Sequence, residues 1–244
     1  MRKSAAVVGV LSLFNFILLA RAAGGDDAKV RDLIARAVKA HGGAENLAKW
    51  KASTLKIKGK LLALDYTAQT SVRLPDRTRS EAQSQLGKSL HIVSGDHGWV
   101  KIGDITRDCG KEEVAETREL LHAIEVSHLT ALSEKEYKLT LVGEETIEGR
   151  PAVGVRVQRA GFRDVTLFFD KEKDLLVKIR TRLKKPLGGG EVKAETCYGD
   201  YRKVDGVMAA HKITIKYDGK VYNDAEITEV KFADKLDDKM FEKP

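Results

Sequence analysis

The chain has almost no cysteine, little proline and few aromatic residues. Only Cys109 and Cys197 occur in 244 residues, and no cysteine or histidine stands at ligand spacing near either, so no metal module is in view. Aromatic residues make up 6%, and Lys and Arg form no cluster. That excludes the basic, stacking faces of nucleic-acid modules. The six histidines include no H-E-x-x-H. His122 and His128 stand six apart and do not share a helix face. No G-x-S-x-G turn is present, and no nucleophile has a base and an orienting group in view. The sequence reads as a non-catalytic protein without a cofactor.

No apolar run reaches the roughly 20 residues of a spanning helix. The longest, over 5–20, follows Arg2-Lys3 and leads into Ala20-Arg21-Ala22-Ala23. A charged start, an apolar centre and small residues at a cleavage site describe a secretory signal. Residues 1–22 are therefore expected to be removed near Ala22, leaving 23–244 as one periplasmic domain; an uncleaved anchor is the alternative. No Leu-x-x-Cys stands at the site, so no lipid-modified amino terminus is expected. Arg2, Lys3 and Arg21 fall in this leader, so the net charge of +7 for the whole chain shrinks to +4 over 23–244. An exported chain with two cysteines permits a Cys109–Cys197 disulfide. It would close a long loop and contribute roughly 4 kcal/mol. Two buried free thiols are the other reading.

What is present is alternation. Residues 23–27 read as a disordered leader. Val30, Leu33, Ile34, Ala37 and Val38 fall at helical spacing and predict a helix over 28–40, ended by Gly42-Gly43. A short second turn over 44–50 follows. The period then changes to two: Leu55, Ile57 and Leu61 alternate with Lys56, Lys58 and Lys60, the mark of a half-buried antiparallel strand. Tyr66, Ala68, Thr70, Val72 and Leu74 continue the theme until Pro75, which cannot donate to a ladder. Further strands are expected over 77–85, 90–93 and 98–102. Residues 111–132 hold no turn residue and predict one helix, or a helix with a short continuation, with Val114, Leu121, Ile124 and His128 on one stripe. Glu112, Glu113, Glu116 and Glu119 read as its wet face. Strands resume over 137–147, 151–159, 163–169, 175–183, 191–202, 207–217 and 221–232. Gly188-Gly189-Gly190 and Asp218-Gly219 are among the turns between them, the latter a strong hairpin signal.

Eleven or twelve consecutive strands with short turns favour a meander over βαβ units. Such a sheet twists and must close, split or curl. Two helices are too few to fill a curled inner face, which predicts an apolar cavity; a fully packed core is the alternative. The expected lining is Leu55, Ile57, Leu61, Tyr66, Val72, Leu74 and Trp99 from the sheet, with Leu121 and Ile124 from the second helix. The basic rows Lys56, Lys58, Lys60 and Lys178, Arg180, Arg182 read as solvated strand faces that also discourage edge pairing. Docking of anionic headgroups or an acidic partner is the second reading of these rows.

Several motifs, in order along the chain, resemble the LolA-like family of periplasmic outer-membrane lipoprotein carriers and lipoprotein-sorting-like proteins. They are Val72-Arg73-Leu74-Pro75, the stretch from His91-Ile92-Val93 through Ser94-Gly95-Asp96 to Trp99, Tyr198-Gly199-Asp200-Tyr201 running on to Val207, and the ending Leu236 to Pro244. The resemblance implies a mainly β, α+β fold: a curled antiparallel sheet of about 11 strands forming an unclosed barrel, with an amino-terminal helix and a helical lid. It implies a monomer that binds a lipid acyl chain or a lipoprotein, with an envelope membrane protein as a further partner. Leu74 departs from the family. It stands where the carriers have an arginine that ties sheet to lid, and alternation places Arg73 on the other face. Carriage, sensing of misplaced lipids or proteins, and a static pocket therefore stay open together. An envelope protein-interaction module with a filled core is the alternative outside this class.

Overall fold

A computed structural model describes residues 16–185 and 189–244, with side chains from residue 26 onward. The first fifteen residues of the expected signal, and Gly188 of the glycine turn, lie outside the described residues. Helix α1 spans Phe16–Ala40 and α2 spans Ala44–Ala48. Residues 23–27, expected as a disordered leader, are helical. Six strands follow: β1 (Ala52–Leu61), β2 (Leu64–Arg73), β3 (Arg77–Ser84), β4 (Gly87–Ser94), β5 (His97–Ile102) and β6 (Ile105–Asp108). Helix α3 (Lys111–Ser127) then leads into β7 (Lys138–Ile147), β8 (Arg150–Gln158), β9 (Val165–Asp170), β10 (Leu176–Lys184), β11 (Glu191–Val204), β12 (Val207–Tyr217) and β13 (Lys220–Ala233). Of the two readings of 111–132, the structure takes the helix with a short continuation. The helix stops at Ser127, and after the left-handed Leu129 (φ 66) the chain makes a 3-10 turn over Thr130–Ser133.

All thirteen strands form one antiparallel sheet in the order β6-β5-β4-β3-β2-β1-β13-β12-β11-β10-β9-β8-β7. The count exceeds the expected eleven or twelve because β6, only four residues long, carries too short an alternation to be read. The sheet is not closed: β6 and β7 are its two edges. The chain runs from the centre out to β6, must reach the far edge at β7, and then returns strand by strand to pair β13 with β1. Helix α3 makes the edge-to-edge passage and crosses the inner face, which makes it a lid.

The inner face is not filled evenly. Val30, Leu33, Ile34 and Ala37 of α1 pack on Val155, Val157, Leu167 and Ile179, and Val126 and Leu129 at the end of α3 join the same core. Period-3.6 spacing on the helix meets period-2 spacing on the strands, so both apolar stripes are consumed. A second, small core of Ile147, Ala152, Phe168 and Val177 lies elsewhere in this half of the sheet. Phe168 lies over Gly154, where an added Cβ would stand 2.9 Å from the ring. Lys178 and Arg180 cover the same ring at 4.5 and 4.8 Å. They also pair with Glu145 and Glu195. Lys178 and Arg180 are thus neutralised, and Lys178 is buried, whereas Arg182 of the same row stays exposed.

The core under α1 sets the stability of this half. Leu33 is 3% exposed, and Leu33→Ala should lower unfolding free energy by about 2–5 kcal/mol. Chemical denaturation followed by circular dichroism measures it; a change below about 0.5 kcal/mol, the range of surface substitutions, would show that α1 is not part of the core.

Candidate ligand-binding site

Between the lid and the remaining strands the inner face encloses a cavity of about 510 Å³. Its floor runs from Leu55 and Val72 across Phe232, Val230 and Ile227 to Ile213, Ile215 and Ile179, and Leu121, Ile124 and Leu120 of α3 roof it. Trp50, just after α2, stacks on Phe232 with ring centroids 3.5 Å apart and touches His128 edge-on. No Asp, Glu, Lys or Arg lines the cavity. Hydroxyl groups are interspersed on the floor, among them Thr181 and Thr196 on β10 and β11, and one polar stripe runs across β2, β3 and β4. Thr70, Ser80 and His91 are successive cross-strand partners on β2, β3 and β4, and the Thr70 and Ser80 hydroxyls are 3.0 Å apart. Burial lowers the pKa of His91 and pushes that of His128 down to about 4, so both rings are neutral at pH 7.

Leu55 and Val72, read from strand alternation, and Leu121 and Ile124, read from the helical stripe, are cavity residues. Ile57, Leu61 and Tyr66 share the inner face by register but lie beyond the cavity, toward the β1–β2 turn. Leu74 is not in the lining. It stands past the end of β2, and its N–H donates to the Lys51 carbonyl at 3.1 Å. Trp99 is a correction. It pairs with Ile92, one residue out of phase with His91, and therefore faces outward. Both faces of β4 are apolar because the carboxy-terminal segment covers the outer one: Ile92 is fully buried, and the 3-10 turn Asp238–Phe241 packs against β3 and β4. Nothing in the local sequence separates the two faces of such a strand. Both cysteines are free thiols, so the disulfide that the composition permits is not formed. Cys109 lies beside Gly98 at the β6 edge, whereas Cys197 is on β11 between β10 and β12.

Arg73 does point away from the cavity. It donates to the Leu236 carbonyl at 3.1 Å and to Asp238 at 2.6 Å, clamping the chain end to the outer face. The lid is held by other means. Its glutamates, expected as a merely wet face, reach the sheet. Arg107 of β6 grips Glu113 through two bonds of 2.8 Å. Arg163, just before β9, grips Glu116 through bonds of 2.9 and 2.7 Å. Lys184 of β10 pairs with Glu112, and the backbone N–H of Arg163 donates to Glu119. Arg159 and Tyr137 converge on Glu125 at 3.2 and 3.3 Å. Forked Arg–carboxylate pairs fix orientation as well as charge. The two-bond pairing with Arg107, aided by the Gly110 N–H, holds the Glu113 carboxyl down at about 2, and Glu116 and Glu125 are lowered too.

The fold can be compared with known structures. No family model matches the sequence, and no curated protein does. Solved structures do match. A putative outer membrane lipoprotein-sorting protein domain from Vibrio parahaemolyticus aligns with 81% of this chain and 93% of its own, at 12% identity and a TM-score of 0.50. A LolA superfamily protein from Nitrosomonas europaea aligns with 88% of this chain and 97% of its own, at 12% identity and a TM-score of 0.53. A DUF1329 family protein from Desulfovibrio piger aligns over 87% and 97%, at 14% identity and a TM-score of 0.54. The chain has the LolA-like fold. At these identities the likeness is one of architecture, and it matches the unclosed sheet with a helical lid that the motifs imply.

Acid should loosen the lid in two stages. His128, lowered to about 4 from 6.5, binds fewer protons folded than unfolded. Its contribution is complete above about pH 6.5 and is lost as pH falls toward 4. The lid carboxylates are lowered as well, so their contribution is present above the ordinary carboxylate range and is lost as pH falls through it, for Glu113 down to about 2. Amide hydrogen exchange in α3 should therefore accelerate as pH drops from 6.5 to 3, after correction for intrinsic rates, while β8–β10 stay protected. Glu113→Gln with Glu116→Gln should reproduce the loosening at pH 7. Unchanged protection of α3 in that double variant would show that these pairs do not hold the lid.

Proposed function

We propose that this protein is an extracytoplasmic, non-catalytic binder of an uncharged acyl ligand, taken into the cavity beneath α3. The observation that carries the reading is the lining: a space of about 510 Å³ bounded mostly by aliphatic and aromatic side chains, with hydroxyl and imidazole groups among them but no carboxylate, ammonium or guanidinium. That volume falls within the about 300–1,000 Å³ typical of small-molecule sites. Each methylene moved from water into such a space contributes about 0.8 kcal/mol. A free carboxylate would enter without a counterion, at a large desolvation cost. An ester or amide carbonyl would instead meet the donors of the Thr70–Ser80–His91 stripe. The ligand class is thus an esterified or amidated acyl chain, as a lipid or the acylated end of a lipoprotein provides. The lipoprotein-sorting and LolA superfamily names of the structurally similar proteins support the same reading.

The amino-terminal pattern places the protein outside the cytoplasm in this proposal, with 1–22 acting as the export signal and 23–244 as the binding domain, a monomer in solution. Carriage and sensing both require release, and release requires a partner that prefers the open lid. An envelope membrane protein could serve that role.

Native mass spectrometry of the protein purified from a bacterial envelope tests the proposal. An adduct of lipid mass should accompany the wild-type chain and be absent from Leu121→Asp, which sets a carboxylate in the roof. Added ester lipid should bind better than the free fatty acid of equal length. A clean mass for the wild type with no uptake of either would sink the cavity reading and leave a protein-interaction module with a working surface as the better account.

A further inference from the structure

Six of the eight large apolar side chains most exposed among the described residues lie along one end of the sheet. They are Leu61 and Leu62 in the β1–β2 turn, Leu86 in the β3–β4 turn, Ile102 and Ile105 flanking the β5–β6 turn, and Val221 beside the β12–β13 turn. Alternate turns of an antiparallel meander fall on the same end, and the register confirms it. Leu61 pairs with both Leu64 and Asn223, Tyr66 pairs with Ser84, and Ser89 pairs with Ile102. Exposure is high where it matters: 66% at Leu62, 78% at Leu86, 76% at Ile105 and 57% at Val221. Turns are ordinarily polar, so Leu62 and Leu86 within two turns, with Ile102, Ile105 and Val221 flanking two more at the same end, need an explanation. From Ile105 on β6 to Val221 on β13 the row crosses six strand spacings, roughly 29 Å at about 4.8 Å each.

We propose that this row of turn tips docks on the surface of a lipid bilayer and that acyl chains pass between bilayer and cavity along the inner face of β1 and β2. Two observations favour a bilayer over a protein segment. The first is shape and chemistry: the tips form a row of separate apolar points, which suits a planar fluid surface into which each can dip. Behind them stand Tyr66, Tyr217 and Tyr222, the last two stacked at 4.4 Å, and tyrosine suits the headgroup level of a membrane. The second is continuity. On β1, Leu55, Ile57, Gly59 and Leu61 share the inner face, and on β2 Val72, Thr70, Ala68, Tyr66 and Leu64 do. This strip runs from the cavity floor to the tips without a charged side chain. Charge near the tips is close to balanced, with Lys60, Lys88 and Lys220 against Asp65, Asp104 and Asp218. Insertion of apolar tips, not attraction to anionic lipid, therefore carries the docking. The direction of transfer rests on the cavity proposal; the docking itself does not.

The test places an environment-sensitive fluorophore on single cysteines in the full chain, with Cys109→Ser and Cys197→Ser as background. Leu86→Cys and Val221→Cys read the tips, and Lys235→Cys, beyond the other end of β13, is the control. With vesicles of phosphatidylethanolamine and phosphatidylglycerol, the tip positions should shift to the blue and be quenched by lipid bearing a nitroxide high on its acyl chain. The control should do neither. Each fluorophore reports its own position, whatever other part of the chain meets the bilayer. Replacing Leu62, Leu86 and Ile105 together by Ser should reduce the tip signal at Val221→Cys by about tenfold or more, since one buried Leu is worth that much. Tips that behave like Lys235→Cys, or a triple variant with an unchanged signal at Val221→Cys, would overturn the docking. Lipid retained in the cavity by native mass spectrometry in that case would leave the binding proposal standing and remove only the docking.

Discussion

The structure depends on one covalent constraint: β6 and β7 are consecutive strands at opposite edges of a thirteen-stranded sheet. The linker between them has no short route. It must cross a face, and the inner face is the one that offers apolar surface to a helix whose own stripe includes Leu121 and Ile124. The lid is thus a consequence of strand order, and so is the cavity. Helix α1 fills the inner face at β7–β10, α3 bridges the remaining span, and two helices cannot reach the whole floor. Packing to native density is satisfied on one side of the molecule and withheld on the other.

Charge and apolar surface are separated accordingly. The glutamates of α3 all engage arginine, lysine or backbone donors at the rim of the lid, while the volume beneath it holds none. A lid fastened by charge at its margins and by aliphatic contact at its centre can loosen at the margins without exposing a buried ion pair. Breaking a buried pair leaves an uncompensated charge and costs several kcal/mol, whereas these carboxylates return to water. Leu74 makes no tie to the lid; Arg107, Arg159 and Arg163, on strands or turns far from it in sequence, fasten α3 instead.

The strand pattern was legible because alternation is a local property. Leu55-Lys56-Ile57-Lys58 announces a strand with one wet face wherever it lies, and Asp218-Gly219 announces its hairpin. Leu55 and Val72, which line the cavity, come from such strands, and Leu121 and Ile124 come from the equally local helical stripe of α3. What could not be read is which strands become neighbours. Ile213, Ile215, Ile227 and Val230 alternate as clearly as Leu55 does, yet they join the cavity only because β13 returns to pair with β1. Trp99 and Leu74 failed for a different reason. Ile92 is capped on the outer face by a segment some 150 residues away, so β4 is apolar on both faces and phase carries no information. The roles of Glu113 and Glu116 were hidden for the same cause: a glutamate on a helix surface looks the same in sequence whether water or an arginine from another strand stands opposite.

The pairing of β1 with β13 joins Ala52 to Ala233 and sits at the middle of the sheet. The first and last strands to leave a ribosome are thus the ones that must meet before the two halves of the sheet are joined. Contacts so distant in sequence close late and slow folding. Each half, β1–β6 or β7–β13, has until then an unpaired edge running through what will become the centre. A chain built this way cannot complete its sheet while its carboxyl end is still being made.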